Sequence, residues 1–88
     1  MRIVRKDFVA WLKKNKHASF IPNDPCRCPL ARHLTDKGGS QAHVLSPSAY
    51  ADDWEMTLPR WATDFVESFD AMTTRCGRVT GARALELL

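Results

Sequence analysis

The sequence predicts a mainly α-helical single domain, a compact body of about four helices with at most a tiny two-stranded ribbon. Three observations carry that prediction. "LPRWATDFVESFD" spaces its apolar residues as one broad helical face, and "RKDFVAWLKKNKH" does so over a narrower sector. No stretch keeps the alternation of a long strand. The 88 residues are 44% hydrophobic and 26% charged, which suits one globular domain, residues 1–88, and excludes a disordered chain.

The first helix is read from "RKDFVAWLKKNKH". At about 100° per residue, Val4, Phe8, Trp11 and Leu12 fall within one sector. Arg2, Arg5, Lys6, Lys13 and Lys16 fall within a neighbouring one, where Val9 interrupts them. "ASFIPNDP" holds two prolines and an Asn-Asp pair, so it reads as a loop that tucks Phe20 and Ile21 into the core. In "PCRCPLARHL", Pro29 suits the first helical position and Cys28 the N-cap. Leu30, Ala31 and Leu34 share one face, with Arg32, His33 and Asp36 turned elsewhere. Gly38-Gly39 stops that helix, because helix ends need the left-handed conformation that glycine accepts.

"QAHVLSPSAYADDW" is short of helix formers, and His43–Ser46 reads as a short strand. With Pro59 at a helix start, Leu58, Trp61, Ala62, Phe65, Val66, Phe69 and Met72 line one face, opposite Asp64, Glu67 and Asp70. That 59–74 helix should organise the domain by packing on the first. A Cys-Gly turn leads to a short strand, Arg78–Thr80, which is expected to pair with His43–Ser46. Thr80 is a good N-cap for a last helix reaching Leu88.

The succession "CPLARHL", "LPRWATDFVESFD", "RVTGARALELL" resembles a family of small uncharacterised bacterial and phage-encoded proteins. The shared pattern is a Cys-Pro-Leu-Ala helix start, a Leu-Pro-x-Trp helix ending near an Asp, and a terminal Thr-x-x-x-Ala-Leu. It covers about two thirds of the chain and leaves out the basic first helix and the Cys-Arg-Cys doublet. The resemblance implies a single compact domain, its motifs are structural rather than catalytic, and it attaches no established activity.

Charge is unevenly distributed. Residues 1–37 carry nine Lys/Arg against three Asp/Glu, a balance of +6; residues 38–88 carry four against seven, a balance of −3. Such polarity can steer a partner or let two copies associate head to tail. The longest apolar run, Phe8–Leu12, is too short for a bilayer span or a signal-peptide core. Three cysteines cannot form a complete internal disulfide set, so reduced thiols in a cytoplasm are expected.

The cysteines and histidines admit three readings. A zinc site would recruit Cys26, Cys28, His33 and His43, with Cys76 or His17 in reserve, but Cys-x-Cys is tighter than the usual ligand pair and has no second pair to match it. A catalytic thiol at the helix start would need a positioned base. His33 lies about 140° around the helix from Cys28, and His43 or His17 could reach a thiol only through tertiary structure. Burial as a small hydrophobe is the preferred reading for Cys28 and leaves Cys26 unexplained. Asp52, Asp53 and Glu55 read as a solvated turn, since no calcium-loop pattern surrounds them. The Trp11, Trp61 and Phe65 set reads as core.

No phosphate loop, nucleophile elbow or metalloprotease motif is present, so neither an enzyme nor a cofactor is expected. The expected role is that of a small cytoplasmic regulator or inhibitor that binds a protein partner, with homo-oligomerisation open and no membrane contact. Tyr50 and Trp54 are its candidate interface aromatics, although Trp54 equally fits a cover for the core. The alternative is a nucleic-acid-binding regulator that uses Arg2, Arg5, Lys6, Lys13 and Lys16 against phosphates. A zinc-stabilised domain through Cys26 and Cys28 comes third.

Overall fold

In the computed structural model, which describes residues 2–72 and 77–88, four helices alternate with five short strands. The order is α1 (Arg5–Lys14), β1 (Ser19–Phe20), α2 (Pro29–Gly38), β2 (His43–Leu45), β3 (Ser48–Ala51), β4 (Trp54–Thr57), α3 (Arg60–Asp70), β5 (Val79–Thr80) and α4 (Gly81–Leu85). The mainly α expectation is therefore corrected. With 43% helix, 18% strand and two antiparallel sheets, this is a small α+β domain.

The strands pair differently from the expected ribbon. β2 pairs with β3 and β3 with β4, a three-stranded meander, while β1 pairs with β5 (Ser19 opposite Thr80, Phe20 opposite Val79). The loop read from "ASFIPNDP" thus holds a strand. The stretch around Tyr50 is sheet rather than coil, with Asp52-Asp53 as the hairpin turn and Glu55 inside β4. Adjacent hairpin strands need only short loops to close the meander, whereas β5 is taken by β1 from near the other end of the chain and so is not available to β2. A cis Ser46–Pro47 bond joins β2 to β3.

The helix ends follow local chemistry. Asn15 closes α1 by donating from its side chain to Trp11 O (2.8 Å) and from its backbone to Trp11 O and Leu12 O. Cys28 caps α2 by accepting from Ala31 N at 3.3 Å, Pro29 takes the first position, and Gly39 ends the helix with φ +79°. Thr80 caps α4 by accepting from Arg83 N at 3.3 Å, but the helix stops at Leu85 instead of reaching Leu88. α3 stops at Asp70. There Asn23, in a left-handed conformation, donates its side-chain amide to Asp70 O, and its backbone N–H goes to the Asp70 carboxylate, both at 2.9 Å. Residues 73 and 74 of the expected 59–74 helix lie outside the described residues, as does Cys76.

The core gathers Phe8 and Leu12 from α1, Leu30 and Leu34 from α2, Phe65 and Phe69 from α3, and Phe20 and Val79 from the ribbon, all buried. Phe8 meets the Phe65 ring edge-on at 5.0 Å, so α3 packs on α1 as expected. His33 is corrected. It is buried, with its ring 5.3 Å from Phe8 and 5.5 Å from Trp11. The buried arc of α2 runs through Pro29, Leu30, Ala31, His33 and Leu34, and at helical periodicity His33 falls about 60° from Leu30, inside that arc.

Candidate functional site

The outward side of α1 and its two flanks hold the largest concentration of predicted site residues, with Arg5, Lys6 and Lys13 on the helix, Arg2 before it and Lys16 after it. Arg2, Arg5, Lys6, Lys13 and Lys16 are all exposed. Arg5, Lys6, Val9, Ala10 and Lys13, all on α1, line a shallow open depression of about 580 Å³. Val9, which interrupts the basic sector in the sequence, is half-buried, and Ala10 beside it is exposed. The interruption is an apolar patch beside cationic side chains. Arg5 is braced by donating to Leu88 O at 2.6 Å, which holds the last residues against α1. Among the described residues no ion pair engages Lys6, Lys13 or Lys16, so their charge stays available to a partner. Arg2 lies at the start of this face, with its carbonyl bonded by Lys37 Nζ at 2.9 Å.

The two candidate aromatics separate. Tyr50 is 39% exposed on the outer face of the meander. Trp54 lies on the inner face with Val44, Ala49 and Met56, packed against the core. Its position is that of a core cover, and its indole N–H is buried without a partner.

The thiols separate as well. Cys28 is 3% exposed, and burial pushes its thiol up to about 11, so it stays protonated as a cap. Cys26 is half-buried and lies with its Sγ 3.0 Å from His43 Nδ1. Two ligands of one tetrahedral zinc would stand about 3.5 Å apart, so this pair is in direct contact rather than spread around an ion. Among the described residues no group of three or more His, Cys, Asp or Glu converges as a metal site would require. His33 joins neither thiol, and its two ring nitrogens have no hydrogen-bond partner. Burial, then the nearby Lys37 charge, lowers its pKa below the ordinary 6.5. His17 is exposed beyond the end of α1.

Sequence reasoning missed one cationic group. Arg27, Arg32 and Arg78 line a cleft of about 230 Å³ with Ser19 and Ile21. The Arg32 guanidinium also lies 5.8 Å over the Phe20 ring, and Arg27 is 4.0 Å from the Asp24 carboxylate. The pairing of β1 with β5 brings Arg78 to this side of the ribbon, and no local signal reports that pairing. The basic character of the first half of the chain thus extends beyond α1. Compared with protein families, curated proteins and solved structures, the chain matches none.

Proposed function

We propose that the protein is a non-enzymatic binding module, a small regulator or inhibitor that docks an acidic amphipathic segment of a partner protein on the outer face of α1. The observation that carries this reading is that apolar Val9 and Ala10 share one shallow depression with the cationic Arg5, Lys6 and Lys13. A partner helix with apolar residues along one stripe and carboxylates beside it would satisfy both parts. A nucleic-acid backbone would use only the cations, because phosphates gain nothing from a valine. Asp64 and Glu67, exposed on α3 of the same small body, further oppose a long polyanion. The setting proposed is a reducing cytoplasm, on the strength of the odd cysteine count. Among the described residues no helix is long and apolar enough to cross a membrane.

Val9→Ser separates the two readings, since it changes the apolar part and leaves every charge in place. A labelled acidic amphipathic peptide, a DNA duplex and a single strand would each be titrated against both proteins over a range of salt. Losing the remaining burial of Val9 costs about 1 kcal/mol, so the peptide should bind about fivefold more weakly to the variant. Sub-micromolar nucleic-acid binding that survives physiological salt and ignores Val9→Ser would replace this reading with the phosphate-binding one.

A further inference from the structure

Cys26 and His43 come from different parts of the chain, and each is held by its own support. The Cys26 backbone N–H donates to Asp24 Oδ1 at 2.9 Å, and the neighbouring Pro25 carbonyl accepts from Val44 N at 2.9 Å, which fixes the turn against β2. His43 stacks on Tyr50, with centroids 5.0 Å apart and planes 18° apart. By register His43, Tyr50 and Glu55 form a row across the outer face of the meander, with the Cys26 thiol at its end. A nucleophile within reach of a base, and a base oriented by a third group, is the arrangement that activates a thiol. Cys28, two residues away, has none of this and is sealed in the core.

We propose that Cys26 is a reactive thiol with His43 as its base, a modification site that captures small disulfides as a mixed disulfide. In the tautomer protonated at Nε2, His43 Nδ1 accepts the Cys26 proton as Sγ attacks one sulfur of the disulfide. The new S–S bond forms as the old one breaks, and the electron pair leaves with the departing thiolate. That thiolate takes the proton from His43. Cys26 is oxidised to the mixed disulfide, and half of the small disulfide is reduced to free thiol. The site stands apart from the α1 groove and does not depend on it.

The test is reaction of the folded protein at neutral pH with an aromatic disulfide whose leaving thiol is coloured, with the labelled cysteine located by peptide mass mapping. Cys26 should react first, about tenfold faster than in the urea-unfolded chain. The fast phase should vanish in Cys26→Ser and persist in Cys28→Ala and in Cys76→Ser. His43→Phe, which keeps a ring against Tyr50, should slow Cys26 about tenfold, to near the rate of the urea-unfolded chain. Added imidazole should accelerate His43→Ala and leave the wild type unchanged. Equal rates in the folded and unfolded wild type would overturn the proposal without recourse to any variant. Full reactivity in His43→Phe would overturn it as well.

Discussion

At the scale of single residues, His33 is the most exacting test of how this core tolerates polarity. It is buried between Phe8 and Trp11 with neither ring nitrogen paired, and its pKa is lowered chiefly by desolvation. The unfolded chain takes up that proton near pH 6.5, whereas the folded chain takes it up only at lower pH. The unfolded state therefore binds more protons below about 6.5, and the stability present at neutral pH falls as pH drops through that value. His33→Leu should remove this contribution and leave neutral-pH stability equal or higher, because a buried unpaired donor and acceptor disappear. Denaturant midpoints from pH 7 to pH 5 check it. Parallel loss of stability in both proteins would assign the acid sensitivity to other groups. His33 was expected to turn outward, although the helical periodicity sets it about 60° from Leu30 and its burial could have been read there. The Cys26–His43 contact could not be read, because the two residues lie 17 apart in sequence and meet only through the crossing of the Pro25 turn and β2.

Secondary-structure elements divide by the range of the signals that specify them. The start and stop of α2 and the start of α4 rest on Cys28, Pro29, Gly39 and Thr80, whose effects reach only a few residues. Those were readable. Of the meander, β2 was readable within His43–Ser46, but β3 and β4 were not, because they have four residues each and their inward row includes the small Ala49, which leaves little alternation to detect. The join between α1 and α4 hides a similar non-local constraint at Gly81. Its N–H donates to Ala18 O at 3.0 Å, and a Cβ on it would overlap the carbonyl oxygen of Asn15. Helix propensity alone predicts that Gly81→Ala stabilises by up to about 1 kcal/mol. The close approach predicts the reverse, a loss of about 1–3 kcal/mol, since the obstacle is backbone. The sign measured by urea denaturation decides between the two, and a stabilised variant would show that α1 and α4 are less closely apposed.

Across the whole molecule, cationic groups gather at two places and do not follow the division of the chain into a basic and an acidic half. α1 carries outward cations beside Val9 and Ala10, the Arg27, Arg32 and Arg78 cleft is the second place, and exposed carboxylates lie on α3. The basic residues of α1 were legible because a helix repeats its faces regularly. The meaning of Val9 was not, since the groove exists only once α1 has turned Phe8 and Leu12 inward. We propose that this face, and not the sheet or the arginine cleft, receives an acidic amphipathic segment. Chemical-shift mapping on the isotope-labelled protein, titrated with an acidic amphipathic peptide at physiological salt, tests it most directly. Docking on α1 should give saturable shifts concentrated at Arg5, Lys6, Val9, Ala10 and Lys13. Shifts centred on Arg27, Arg32 and Arg78, or none at millimolar peptide, would contradict it.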